Sequence, residues 1–133
     1  MNPHNKGRSA EEAVREVLER ELRIPLHKCK LTVGKNSNGE EIKKEFDLVS
    51  DDEKIVVEVK SYKLGNNTTQ KAGYTTTRKW RLIGACFYLG KVEKAAKRIL
   101  ALTDKELFTQ FKNDMDGLLN SNIEIRYVPC KAP

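Results

Sequence analysis

The chain has 133 residues, of which 38% are hydrophobic and 33% charged, and its formal net charge is +6. That length sets one domain, 1–133, able to bury a core without disulfides or structural metal. The longest apolar run falls far short of the ~20 residues that a membrane span needs, which excludes a membrane-spanning helix.

Residues 1–8 read as a flexible terminus. Ser9 with Glu12 three residues on makes a capping-box pattern. A helix is expected from there to about Arg23, with Val14, Val17, Leu18 and Leu22 as its apolar stripe and Pro25 as its stop. Residues 28–33 read as a short strand and 34–41 as a polar turn. Residues 42–49 and 54–61 are two strands around the tight turn Ser50-Asp51-Asp52-Glu53. After a loop at 64–69, a helix is expected over 69–82, although Gly73 and three threonines disfavour it. Residues 83–89 (IGACFYL) read as a buried strand, 91–101 and 104–119 as helices, and 123–128 as a last strand. The order αβββαβααβ is that of an α/β sheet covered by helices.

Three cysteines, Cys29, Cys86 and Cys130, lack the spacing of a zinc knuckle or a redox motif. Their odd number, with no signal peptide, points to a reducing, cytoplasmic setting. Cys29 and Cys86 sit in apolar runs and read as small core residues. His4 and His27, the only histidines, have no partner at metal-ligand spacing and read as solvent or turn residues.

Charge is unevenly spread. Residues 60–98 hold ten Lys/Arg against Glu93 alone, a net of +9, while residues 1–59 net −2 and 99–133 net −1. Such a segment can collect phosphate contacts, although a merely solvated surface has the same composition. Lys63, Lys71, Arg78, Lys79 and Arg81 are the candidate nucleic-acid contacts. Trp80, between two of them, could stack on a base but better suits an anchor of its helix to the sheet.

The chemistry concentrates in the hairpin. Placing Ser50 opposite Glu53 sets Asp47 opposite Val56 and Glu45 opposite Glu58. Alternation then puts Phe46, Leu48, Ile55, Val57 and Val59 on one face and Asp47, Val56, Glu58 and Lys60 on the other. Asp47 and Glu58 become diagonal neighbours ~7–8 Å apart at the backbone, within reach of one shared ion. Hard Mg²⁺ needs only one or two carboxylates beside waters and phosphate. Lys60, two residues from Glu58, could orient a water or neutralise transition-state charge. A surface Glu–Lys pair is the plain alternative, but a glutamate flanked by valines (IVVEVK) is costly to bury without a cation.

Phe46-Asp47, ten intervening residues and Glu58-Val59-Lys60 resemble the PD-(D/E)xK nuclease superfamily, with Phe46 in place of the nominal proline. The resemblance implies a restriction endonuclease-like αβββαβ core with a mixed central sheet, here followed by two more helices and a final strand. It further implies Asp47 and Glu58 as ligands of Mg²⁺ (or Mn²⁺) and Lys60 as the residue that assists the nucleophile. Lys6-Gly7-Arg8-Ser9-Ala10-Glu11 looks like the basic-Gly segment of members similar to archaeal Holliday junction resolvases, which makes Glu11 a third metal ligand. Glu11 lies three and seven residues before Val14 and Leu18, so it faces the apolar stripe, and Glu12 is the competing choice. Gln70-Lys71-Ala72-Gly73-Tyr74 resembles the Q-x-x-x-Y motif of exonuclease-like members, with Gln70 at the site and Tyr74 on nucleic acid. The implied function is a metal-dependent DNA endonuclease, restriction-like or junction-resolving, and possible as a homodimer because cutting both strands takes two sites. A non-catalytic nucleic-acid-binding module of the same fold, or an exonuclease-like or RNA-directed nuclease, stays open.

Overall fold

The computed structural model describes residues 3–62, 76–115, 117–119 and 122–130. Among them, helix α1 (Pro3–Leu22) leads into strands β1 (Leu26–Lys35), β2 (Glu41–Ser50) and β3 (Ile55–Lys60). Helix α2 (Thr76–Lys91), strand β4 (Lys97–Leu102), helix α3 (Lys105–Met115) and strand β5 (Ile123–Tyr127) follow. The five strands form one mixed sheet in the spatial order β1-β2-β3-β4-β5. The β1/β2 and β2/β3 pairs are antiparallel, whereas β3/β4 and β4/β5 are parallel, with α2 and α3 as their crossovers.

Two apolar clusters, one on each face of the sheet, hold the layers together. Val14 and Leu18 of α1 pack with Leu26, Leu48, Val57, Val59, Ile99 and Ala101. On the opposite face Leu82, Ala85, Cys86 and Leu89 of α2 and Leu107 and Phe111 of α3 pack with Phe46, Val49, Val56, Leu100 and Leu102. Among the described residues the arrangement is thus an α/β three-layer structure, with α1 on one side of the sheet and α2 and α3 on the other.

Several sequence expectations change. Helix α1 begins at Pro3, so Ser9 lies inside the helix and not at its start, and Val17 of the expected stripe is exposed. Residues 83–89 are helical and residues 97–102 form a strand, the reverse of the expected assignments. A short apolar run carries no period that separates buried helix from buried strand. In the helix, residues 82, 85, 86 and 89 fall on one stripe and are buried. Strand β4 is buried on both faces, which suits its continuous apolar run. One crossover helix and one strand therefore follow β4, where two helices and a strand were expected; Asp104 caps α3 through its Oδ2, which accepts from the Leu107 N–H at 2.9 Å. Of the helix expected over 69–82, residues 76–82 are helical as the start of α2, and residues 69–75 lie outside the described residues.

The hairpin register also differs. Observed partners are Leu48↔Val57 and Val49↔Val56, so β3 is shifted by two residues from the expected pairing. The connection is longer because side chains build it. The Ser50 hydroxyl donates to Asp52 Oδ1 (2.7 Å), the Ile55 N–H donates to Ser50 Oγ (3.0 Å), and the Lys54 N–H donates to Asp52 Oδ1 (3.0 Å). Glu53 takes a left-handed conformation, φ 62°, to complete the loop.

Candidate metal and phosphodiester site

A β-bulge places the first carboxylate. Between the partners His27↔Val49 and Cys29↔Phe46, Lys28 alone stands opposite both Asp47 and Leu48. The extra residue breaks the alternation of β2. Phe46 joins the α2/α3 cluster while Leu48 joins the α1 cluster, so these two do not share the face that strict alternation assigns them. Asp47 turns with Leu48 toward α1. There it lines a cavity of about 170 Å³ with Glu11, Glu12, Arg15, His27 and Lys28.

Glu58 comes from the other side. It shares the face of Val56, which packs toward α2, and it is only 4% exposed. Asp47 and Glu58 meet through the gap between β2 and β3, not on one common face. Below the Leu48↔Val57 pair their side chains bond the neighbouring backbone: the Asp47 N–H donates to Glu58 Oε1 (3.0 Å) and the Val59 N–H donates to Asp47 Oδ2 (2.8 Å). Each carboxylate thus holds the other's strand, which fixes their relative position more firmly than the expected diagonal contact would. Glu45, expected opposite Glu58, instead partners Lys30 on β1 and is exposed.

Lys44 compensates part of this charge. Its ammonium lies 3.0 Å from Glu58 Oε2 and also donates to the Glu45 carbonyl, with the Phe46 ring 4.8 Å and the Tyr88 ring 5.8 Å away. Burial raises the Glu58 pKa above its ordinary value and the Asp47 charge raises it further, while Lys44 opposes both. Glu11 behaves likewise. Partial burial and the adjacent Asp47 carboxylate raise its pKa, and Lys28, 3.7 Å away, pulls the other way. Glu12, the competing first-helix carboxylate, is exposed at the rim of the same cavity.

Asp47 is therefore pressed between two other carboxylates. Among the described residues, no group of three or more His, Cys, Asp or Glu side chains is close enough to hold a metal ion as it stands. The donor set nevertheless suits a hard divalent cation. All three side chains offer oxygen, and an oxygen with one hydrogen bond keeps a second lone pair for a ligand. A cation among them would relieve the Asp47 repulsion that, after burial, raises the pKa of Glu11 and Glu58.

Lys60, at the end of β3, is half-buried and makes no ion pair among the described residues. Gln70, Lys63, Lys71 and Tyr74 lie outside the described residues. Of the basic candidates on α2, Lys79 pairs with Asp114 at 3.5 Å, Arg78 lies over the Tyr62 ring at 5.3 Å, and Arg81 is exposed. Trp80 is 64% exposed, so it does not anchor α2 to the sheet as expected. Arg98, counted in the basic segment, instead donates to the Leu89 and Val92 carbonyls and holds the end of α2. Sequence reasoning missed Lys44, Lys28 and Arg15. Arg15 was within reach of it, being four residues after Glu11 on the same side of α1. The role of Lys28 depends on a bulge that leaves no mark in the sequence.

Comparison of the chain with protein-family models, with curated proteins and with solved structures finds no match. No described helix is long and apolar enough to cross a membrane.

Proposed function

We propose that the protein is a metal-dependent DNA endonuclease of the PD-(D/E)xK type, restriction-like or junction-resolving. The observation that carries this reading is Asp47, turned by the β2 bulge against Glu11 on one side and meeting Glu58 through the strand gap on the other. The order α1-β1-β2-β3-α2-β4 agrees with the αβββαβ core of that superfamily. The site also lies at the carboxyl end of β3, where open α/β sheets bind ligands.

Asp47, Glu58 and Glu11 would hold Mg²⁺ or Mn²⁺, which when bound polarises a phosphoryl oxygen and lowers the pKa of a coordinated water. The protein's own part is positional. The backbone bonds from the Asp47 and Val59 N–H groups fix the two central carboxylates. Lys44 keeps the buried Glu58 oriented. Lys60, with its ammonium uncommitted to any described carboxylate, orients the attacking water or offsets charge on the phosphorane-like transition state. The exposed Arg81 and Trp80 on α2 supply phosphate and stacking contacts away from the reacting bond. With two such sites needed to cut both strands of a duplex, a homodimer is the working form.

A second reading has its own support. Both oxygens of Glu58 already have partners, Asp47 N–H and Lys44, as they would in a nucleic-acid-binding module that uses no metal. One experiment separates the two. Supercoiled, single-stranded and branched DNA are incubated with Mg²⁺ or Mn²⁺ and either wild type or Lys60→Ala. Cleavage by wild type and a loss of at least ~10²-fold in the variant are expected. No cleavage of any substrate by wild type, or equal cleavage by the variant, removes the catalytic reading.

A further inference from the structure

Arg15 has no place in the chemistry described so far, yet it lines the same cavity as Glu11 and Asp47. Its Nε is buried and is the only buried side-chain nitrogen or oxygen without a hydrogen-bond partner among the described residues. The guanidinium makes no ion pair there either. Glu11, one helical turn earlier, is paired with Lys28 instead, and Glu12 points to solvent. A buried donor left unpaired destabilises the free protein, so a structural role does not account for the residue.

We propose that Arg15 is a substrate-binding residue that holds a DNA phosphate next to the Glu11–Asp47 carboxylates. This rests on the endonuclease reading and assigns one contact within it. A guanidinium presents parallel N–H donors that match two oxygens of a phosphodiester, and it stays charged at every accessible pH. Turning about its own side-chain torsions brings this fork, Nε included, to a phosphate entering the cavity. The position also has an electrostatic logic. Carboxylates that gather a divalent ion repel the polyanion to be cut, and a fixed cation on the α1 rim offsets that repulsion where the backbone must approach closest. Lys28, committed to Glu11, cannot do the same without releasing its partner.

The test is fluorescence-anisotropy titration of labelled duplex DNA with the full chain in Ca²⁺, across roughly 50–200 mM salt, together with melting of each protein without DNA. Wild type, R15Q, R15M and R15K are compared. R15Q and R15M should bind about tenfold or more weakly, with the slope of log affinity against log salt reduced by about one. R15K should keep that slope while binding less tightly, because its point charge cannot make the paired contact. R15M should melt no lower than wild type, since it removes an unsatisfied donor. Unchanged affinity and slope in R15Q, beside wild type that binds, overturn the assignment to Arg15 alone. So does an R15M protein that melts lower than wild type, which would mark a structural residue. Wild type that fails to bind DNA overturns the endonuclease reading and this contact with it.

Discussion

Replacing Asp47 by Asn isolates the electrostatic strain at the centre of the site. The amide oxygen can still accept from the Val59 N–H, and the amide nitrogen can donate to Glu11, so the local bonds survive while one negative charge disappears. Two unit charges ~5 Å apart at an effective dielectric constant of ~20 repel by about 3 kcal/mol. Glu58, almost fully buried, feels most of this, less the attraction of Lys44. The contribution of half-exposed Glu11 must be discounted for solvent screening. The net gain for Asp47→Asn is then about 1–3 kcal/mol at neutral pH in metal-free protein. For a domain of this length the melting midpoint rises by roughly 3–5 °C per kcal/mol. The sign with pH follows from the raised pKa values of Glu11 and Glu58. Between the unfolded and folded pKa the native protein holds more protons than the unfolded chain. Stability is therefore fully present below the unfolded value, ordinarily near 4.5, and is lost as pH rises through the folded values. The advantage of the variant should vanish in acid and grow toward neutrality. If the site binds Mg²⁺ as proposed, adding it should reverse the order, because a bound ion would stabilise wild type by mass action, about 2.7 kcal/mol at a hundred times Kd, and the variant much less. Scanning calorimetry of both proteins from acid to neutral pH, with and without Mg²⁺, reads all of this. A variant less stable than wild type at neutral pH, or one that Mg²⁺ stabilises equally, refutes the reasoning.

Lys44→Met leaves the buried Glu58 carboxylate without its counter-charge and should cost on the order of 3 kcal/mol at neutral pH. The cost shrinks in acid as Glu58 takes up a proton, and urea unfolding at the two pH values measures the difference; an equal cost at both counts against it. Arg81→Ala should lower the salt slope of DNA binding by about one. Lys79→Ala should lower it less, because Asp114 already engages that ammonium; equal effects would mean that the pairing yields to DNA. Burial pushes the Cys86 thiol up to about 12, so a thiol reagent should modify it at pH 8 only after unfolding. Rapid labelling of the native protein, located by mass spectrometry, would contradict that burial.

The residue types of the candidate site were legible in the sequence, and their geometry was less so. Alternating apolar residues located β2 and β3 to within a residue or two at each end. Glu11 was legible through its spacing to Val14 and Leu18, both fully buried. The two-residue shift of the hairpin was hidden in side-chain bonds of Ser50 and Asp52 that no propensity encodes. Because a shift of two preserves parity, it left the faces of β3 as expected. The bulge at Asp47 did not preserve parity on β2, and it arises from pairing with β1, a strand that carries none of the Asp47, Glu58 and Lys60 pattern. Residues 83–102 were misassigned because IGACFYL suits a buried helix as well as a buried strand, while the Ala- and Lys-containing start of the next segment suggested helix.

The central claim is that Asp47, Glu58 and Glu11 together bind a divalent ion. Crystals grown with Mn²⁺ and measured at its absorption edge test this directly. The account predicts an anomalous peak in the gap between β2 and β3, coordinated by Asp47 and Glu58 and reached by Glu11 directly or through a water. Crystals in which that gap stays empty at saturating Mn²⁺, with Lys44 still on Glu58, would contradict it.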